Sequence, residues 1–436
     1  MISTIAFQLA IRSRLLGSFI CEALREYPHL GDSASLSQQY DKLLLRPLQQ
    51  ARQSAPRSPS FIVVLDALDE CDDFDDVRLL LRFFGDTERM ASLGLRLLIT
   101  SRPETPIRLG FHDMKHIAYH ELALHDVPRA VVDRDIERFV AHELAQIKAE
   151  RKIPDFWPGD AKIRTITTRA EGLFIYAATV CRYVNGPRQV SASMRLEQVC
   201  QGDAMNHKST EILDKMYLMI LDSSLKADFS ANELQEVILR QRQVVGAVVL
   251  LFENLSAEEL GRLLFNSAPA RGITVQETLE SLHAVFDVPE DLARPIQMQH
   301  LSFRDFLVDS TRCPDVRFQV NQQLVHHDLF DCCLDLMQRS LRKNICQLSG
   351  EGHFVDEVSE AVLSQCLPLG LRYACRHWIS HAEHGRVSLS DNGTVHSFLQ
   401  QCCPYWIEVM SLISMIPEVT TMMIQLEGLV DVSMIP

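Results

Sequence analysis

Apolar residues recur at mostly helical spacing over 3–27, at Ile5, Leu9, Leu16, Ile20 and Leu24, and Ser37–Gln53 repeats the pattern, so both segments are expected as helices. SAPRSPS at 54–60 ends the second, because Pro56 and Pro59 cannot continue a helix and the serines compete for backbone hydrogen bonds. FIVVL at 61–65 then places five apolar residues in a row without alternation, the pattern of a parallel strand covered on both faces. A helix over 76–91 and a second apolar run, LRLLI at 95–99, complete a β-α-β unit. Its crossover is expected to be right-handed, so the loops that leave the two strands share one side of the sheet.

From about 133 the pattern changes to helices separated by short breakers, with a Pro-containing break at 154–158 and an apolar helix within GLFIYAATVCRYV at 172–184. Helices are expected at 211–226 and 243–265, PIQMQHLSF reads as a small strand followed by a helix, and helical patterns dominate after 310. No internal repeat and no coiled-coil heptad emerges. A chain of 436 residues exceeds one ordinary core and implies two to four domains.

The polar positions sharpen this picture at one place. Directly after FIVVL, seven acids fall between Asp66 and Asp76, with no base before Arg78. Asp66 stands at the carboxyl end of its strand, where open α/β sheets bind ligands. A carboxylate there, with Asp69 and Glu70 behind it, is the layout a nucleoside triphosphatase uses to hold Mg²⁺ and orient a water; a solvated acidic loop has the same local string. Asp75 and Asp76 suit the amino end of the next helix. At the neighbouring strand tip, Thr100, Ser101 and Arg102 offer hydroxyls and a guanidinium for phosphate, or a turn before Pro103 with Arg102 paired to an acid. Asp66 is expected to face Arg102.

Other chemistry is excluded or thin. No Gly-Lys pair occurs anywhere, which removes an intact G-x-x-x-x-G-K-[ST] phosphate loop, and before residue 61 the only glycines are Gly17 and Gly31. There is no G-x-S-x-G elbow, no H-E-x-x-H and no Cys-x-x-Cys pair. The net charge of −14 argues against broad electrostatic attraction to nucleic acid or an anionic membrane, leaving only a local basic patch open, and no specific nucleic-acid partner is expected. Twelve cysteines without framework spacing suit a reducing, cytoplasmic compartment. The amino-terminal apolar run has no basic segment ahead of it, and no run approaches the ~18 residues of a bilayer span, so neither a signal peptide nor a transmembrane segment is expected.

With these residues in place, the chain resembles the fungal NACHT-type STAND NTPases, the signal-transduction group with a Nephrocystin 3-like N-terminal domain. TIAFQLA at 4–10, FIVVLDALDEC at 61–71, LLITSRPE at 97–104 and GLFIYAATVCRYV at 172–184 carry the resemblance. QHLSFRDFLVD at 299–309 looks like the family's winged-helix segment, and LPLGLRYACRHWISHA at 367–382 with YWIEVMSLI at 405–413 looks like its helical continuation.

The resemblance implies an α/β fold: a truncated P-loop NTPase-like parallel sheet over 1–125, a small helical domain over 126–208, a winged-helix domain over 209–310 and an all-helical region over 311–436. It implies that Asp66 coordinates Mg²⁺, that Asp69 and Glu70 are the catalytic acids with Glu70 positioning water, and that Arg102 is a sensor. Gly172 would lie on the adenine side and His300 would hold the diphosphate. Relatives place their phosphate loop upstream of the segment that TIAFQLA resembles, so the chain is expected to be a fragment or a degenerate member. For the isolated chain no cofactor is expected; ATP or ADP with Mg²⁺ belongs to a complete site in a longer protein. A signalling NTPase domain and an inert scaffold that binds protein partners or self-associates both remain open, and the missing loop favours the scaffold for these residues.

Overall fold

The computed structural model describes the chain except residues 31–33, 56–59, 72–73, 103–106, 108–109, 112–119, 121, 154–155, 187–190, 202–208, 226–230, 266–274, 290, 292, 349–357, 391–392 and 431–436, and except the side chains of His29, Glu70, Phe74, His125, Ser209, Thr210 and Ala231. It divides into two compact units, Met1–Asp126 and Val127–Pro436.

In the first unit the expected helix over 3–27 is two helices, Ile2–Arg12 and Arg14–Glu26. Ser13 separates them: its backbone is extended, and its hydroxyl oxygen accepts the Leu16 N–H at 3.3 Å. A serine that satisfies a free amide in this way stabilises a helix start by about 1 kcal/mol. Leu36–Ser54 is helical throughout, with a π turn at Tyr40–Leu45 whose Tyr40, Leu43, Leu44 and Leu45 are buried. Tyr40 stacks on Phe83 at 4.3 Å and donates its hydroxyl to the Phe83 carbonyl at 2.9 Å, which fastens this segment to the crossover. The crossover is itself two helices, Phe74–Phe84 and Thr87–Ser92, because Asp86 caps the second through the Arg89 N–H. Asp75 and Asp76 lie in the first turn of Phe74–Phe84, where carboxylates favour the helix dipole.

Strands β1 (Phe61–Leu65) and β2 (Leu95–Ile99) pair in parallel, Phe61 opposite Leu95 through Leu65 opposite Ile99, as the β-α-β reading requires. Gly94 turns the chain into β2 with φ +74°, and the backbone N–H of Phe61 donates to its carbonyl at 2.8 Å. One expectation fails. The strands are covered on one face only: Phe61, Val63, Leu65, Leu95, Leu97 and Ile99 pack against the helices, whereas Ile62, Val64 and Leu98 are 71%, 56% and 55% exposed beside Arg96. An uninterrupted apolar string says that both faces avoid water, not that the covering layer is present among the described elements.

The described residues of the second unit are mainly helical, with a two-residue antiparallel pairing of β3 (Phe286–Asp287) with β4 (Gln297–Met298) ahead of the helix Leu301–Val308. This small strand and helix answer the reading of PIQMQHLSF, but so short a pairing does not distinguish a winged-helix motif. The expected helix over 243–265 is again two, Ala231–Leu250 and Ala257–Leu264, the second capped by Ser256. In the core, Trp378 meets Trp406 edge-on at 5.8 Å, and the Trp406 indole N–H donates to the Cys375 carbonyl at 2.9 Å.

Helices Gln322–Ser340 and Leu369–His384 are joined by a buried polar chain. The Phe252 N–H reaches the Tyr373 hydroxyl at 3.3 Å, Tyr373 lies 2.7 Å from His381 Nε2, and His381 Nδ1 lies 2.8 Å from His326 Nδ1. A single direction serves every bond of the chain: the amide donates to Tyr373, Tyr373 to His381, and His381 through Nδ1–H to His326. Both histidines are therefore neutral, and burial, with the neighbouring histidines, holds each well below its ordinary value of 6.5. Among the described residues, no helix is long and apolar enough to cross a membrane.

Three outcomes follow from this packing. Leu95→Ala, in the covered face, is expected to lower unfolding free energy by about 2–5 kcal/mol. The double variant Ile62→Thr, Leu98→Thr should stay within about 0.5 kcal/mol per site and scatter less light at high concentration, as urea titration and light scattering would read. Acid should weaken the second unit through the two histidines. Their folded values lie below the unfolded one, so the unfolded chain binds more protons below about pH 6.5, and stability falls as pH drops through that window by up to about 1.4 kcal/mol per pH unit for each. Urea midpoints at pH 7.5, 6 and 5 should show this slope, and His381→Gln should flatten it.

Candidate functional site

The tips of β1 and β2 form one hydrogen-bonded unit. The Thr100 N–H donates to the Leu65 carbonyl at 2.9 Å, and the Leu68 N–H donates to the Thr100 carbonyl at 3.0 Å, which carries the parallel ladder one step past the strands. The Thr100 hydroxyl accepts the Ala67 N–H at 2.9 Å and donates to Oδ1 of Asp66. Ala67 adopts the left-handed region (φ 53°, ψ 55°), a conformation an alanine takes at a cost of about 1 kcal/mol or more. That bend turns the chain from the strand into the short helical turn Leu68–Glu70 and leaves Asp66 exposed at the edge. Leu68, 1% exposed, anchors the turn against Val77, Leu81 and Ile107.

Asp69 sits enclosed between the two strand tips. Its side chain is 7% exposed, and Oδ1 accepts the Arg102 N–H at 2.9 Å and the Ser101 hydroxyl at 3.2 Å, while Oδ2 lies 3.5 Å from Arg102 Nε. The guanidinium thus engages Asp69, whereas the hydroxyl of Thr100 holds Asp66; the expected Asp66–Arg102 pairing gives way to this arrangement. Arg102 is half exposed, so the ion pair itself contributes no more than about 1 kcal/mol. The bonds that Asp69 Oδ1 accepts from the Arg102 N–H and the Ser101 hydroxyl matter more, because they tie the loops after β1 and β2 together. The Glu70 side chain lies outside the described residues.

Gly172 and His300 belong to the second unit. Gly172 has φ +80° and follows Glu171, also left-handed at φ 45°, in the turn between helices Asp160–Ala170 and Phe174–Val184, with the Arg129 guanidinium against it. His300 caps Leu301–Val308: its Nδ1 accepts the Ser302 N–H at 3.1 Å, and the Ser302 hydroxyl bridges to Tyr217 at 2.8 Å. Both residues have a local structural task.

For Mg²⁺, Asp66 is a suitable donor. The ion commonly takes one or two carboxylates and completes its shell with water and phosphate, and Asp66 is exposed with its carboxylate oriented by Thr100. Among the described residues, no three His, Cys, Asp or Glu side chains are grouped to hold a metal without such help. Nothing in the 436 residues supplies the Gly-Lys loop that would hold a triphosphate. The residues fit the metal half of the site and not the phosphate half.

Sequence reasoning placed Thr100 near phosphate and missed that its hydroxyl is occupied on both sides. Ala67 carried no signal, since alanine is not a residue expected in the left-handed region. Thr100→Val is expected to destabilise the first unit by about 1–3 kcal/mol, because it leaves the Ala67 N–H unpaired, whereas Ala67→Gly should be neutral or stabilising. Thermal unfolding of the two variants checks both.

Comparison with known proteins places these residues in context. The chain is 25% identical over 395 residues to the vegetative incompatibility protein HET-E-1 of Podospora anserina; the alignment covers 84% of this chain and 26% of that protein, so the chain spans about a quarter of that relative's length. No solved structure matches. Residues 1–102, which contain both strands, Asp66, Asp69 and the Thr100–Arg102 turn, match the family described as Nephrocystin 3, N-terminal.

Proposed function

We propose that the first unit is the metal-facing part of a NACHT-type nucleotide switch, and that the 436-residue chain does not turn over ATP by itself. The observation that carries this reading is the parallel pairing of β1 and β2 with Asp66, Asp69 and the Thr100–Arg102 turn at one end. Asp66 would ligate Mg²⁺, whose role when bound is to neutralise charge on the phosphates. Asp69 would hold Arg102 in register so that its guanidinium faces the same edge, and Glu70 would orient the attacking water. Phosphoryl transfer depends on positioning and electrostatic stabilisation, and neither carboxylates nor one arginine immobilise a triphosphate. Within the family reading, 1–125 is the NACHT core, 126–208 a small helical domain containing Gly172, 209–310 a winged-helix-like domain whose His300 would contact diphosphate, and 311–436 an all-helical region.

The exposed apolar face of Ile62, Val64 and Leu98 favours a second reading, a protein-binding or self-associating scaffold. Calorimetry with ATP and ADP in Mg²⁺, paired with phosphate release, separates the two. No turnover and at best weak binding are expected for the isolated chain, unchanged by Asp66→Asn or Glu70→Gln. Turnover abolished by Glu70→Gln would overturn the proposal.

A further inference from the structure

A second cluster, unrelated to Asp66, lies wholly within the second unit. Gly186 follows the helix Phe174–Val184, and three cationic or titratable side chains converge on it. Arg151, the last residue of Arg129–Arg151, donates through Nη2 to the carbonyls of Asn185 and Gly186. Arg195, from the helix Ala192–Gln201, and His283 come so close that a Cβ at Gly186 would lie 2.7 Å from Arg195 Nη1 and 2.5 Å from His283 Nε2. Only glycine leaves room for both.

We propose that Arg151, Arg195 and His283, gathered around Gly186, form a binding site for a phosphate-class oxyanion.

Three observations carry it. First, Arg195 is 7% exposed, and its Nη1 is buried without a hydrogen-bond partner. That nitrogen has neither water nor a hydrogen-bond acceptor, which buried charged groups rarely tolerate. Second, none of the three has a carboxylate partner among the described residues; Arg151 acts on Arg195, and both guanidiniums act on His283, with the Tyr183 ring beside Arg195. Third, both ring nitrogens of His283 face carbonyl oxygens, Nε2 that of Arg182 at 2.8 Å and Nδ1 that of Glu280 at 3.2 Å. A neutral imidazole has one N–H and satisfies one of them; only the doubly protonated ring satisfies both. Burial opposes that proton first, and the two guanidiniums add to the opposition.

An oxyanion resolves all three at once. It accepts from the orphaned Arg195 nitrogen, neutralises the clustered charge and lets His283 take its second proton. Guanidinium forks are suited to tetrahedral oxyanions. Binding is therefore linked to proton uptake, and affinity rises as pH falls. The site takes the oxyanion either free or as the phosphate of a nucleotide, since the recognising chemistry is shared.

Sulfate tests this cleanly because it stays dianionic from pH 6 to 8. Calorimetry of the 436-residue protein with sodium sulfate and with inorganic phosphate, at constant ionic strength, should show saturable binding that is tighter at pH 6 than at pH 8, with proton uptake revealed by buffers of different ionisation enthalpy. Arg195→Gln should weaken sulfate about tenfold or more, the loss of a charge-assisted hydrogen bond, and Arg195→Lys should recover part. His283→Gln should bind sulfate with the pH dependence removed. In the wild-type protein, sulfate should raise the titration midpoint of the His283 ring followed by NMR, a reading that needs no variant to fold. Competition with ADP identifies the source: displacement of sulfate that depends on Arg195 assigns a nucleotide phosphate, and no displacement assigns the free oxyanion. No saturable binding, binding unchanged in Arg195→Gln, or a His283 titration unmoved by sulfate would overturn the proposal.

Discussion

The parallel pairing of β1 and β2 is the constraint on which the first unit depends. Parallel neighbours need a crossover, and the crossover helices Phe74–Phe84 and Thr87–Ser92 supply both that connection and part of the packing for the covered face. Because both strands run the same way, Asp66 and Thr100 emerge side by side. Their hydroxyl–carboxylate bond, with the amides of Ala67 and Leu68 closing on Thr100, turns two loose strand ends into one rigid edge. Asp69 extends that edge by fixing the backbone of Arg102.

This edge is built at the expense of some conformational comfort. Ala67 is held left-handed while its N–H is taken by the Thr100 hydroxyl and the flanking Asp66 carboxylate and Leu68 N–H are bonded to Thr100 as well. The same strands present Ile62, Val64 and Leu98 to solvent, so apolar surface and a polar edge coexist on a two-stranded sheet. Two strands alone are marginal, and the helices Ile2–Arg12, Arg14–Glu26 and Arg46–Ser54 provide the burial that holds them.

The second unit solves polar burial in two opposite ways. The Phe252–Tyr373–His381–His326 chain satisfies its members one after another and needs no charge. Around Gly186, charge accumulates without a counter-ion among the described residues. The first arrangement serves packing between helices; the second is costly unless a ligand completes it, and that difference separates a structural network from a binding site.

The β-α-β unit was legible because its strands are short uninterrupted apolar runs and its helices carry apolar residues at helical spacing. Asp66 could be placed at a strand tip for the same reason, and the missing Gly-Lys pair could be read as a plain string. Breaks at Ser13, Asp86 and Ser256 were less visible: a cap is a side chain choosing a backbone amide three residues on, and the same residue types also stand within helices, as Ser18 and Ser92 do. Periodicity also cannot say whether a layer exists to cover a strand, so the bare face of Ile62, Val64 and Leu98 emerged only from the packing. Pairing across long separations lay further out of reach. Asp69 holding Arg102, Thr100 holding Asp66, and Arg195 meeting His283 at Gly186 are matters of where distant segments come to rest, and a linear string orders residues along the chain but does not measure the distances through which charges and hydrogen bonds act.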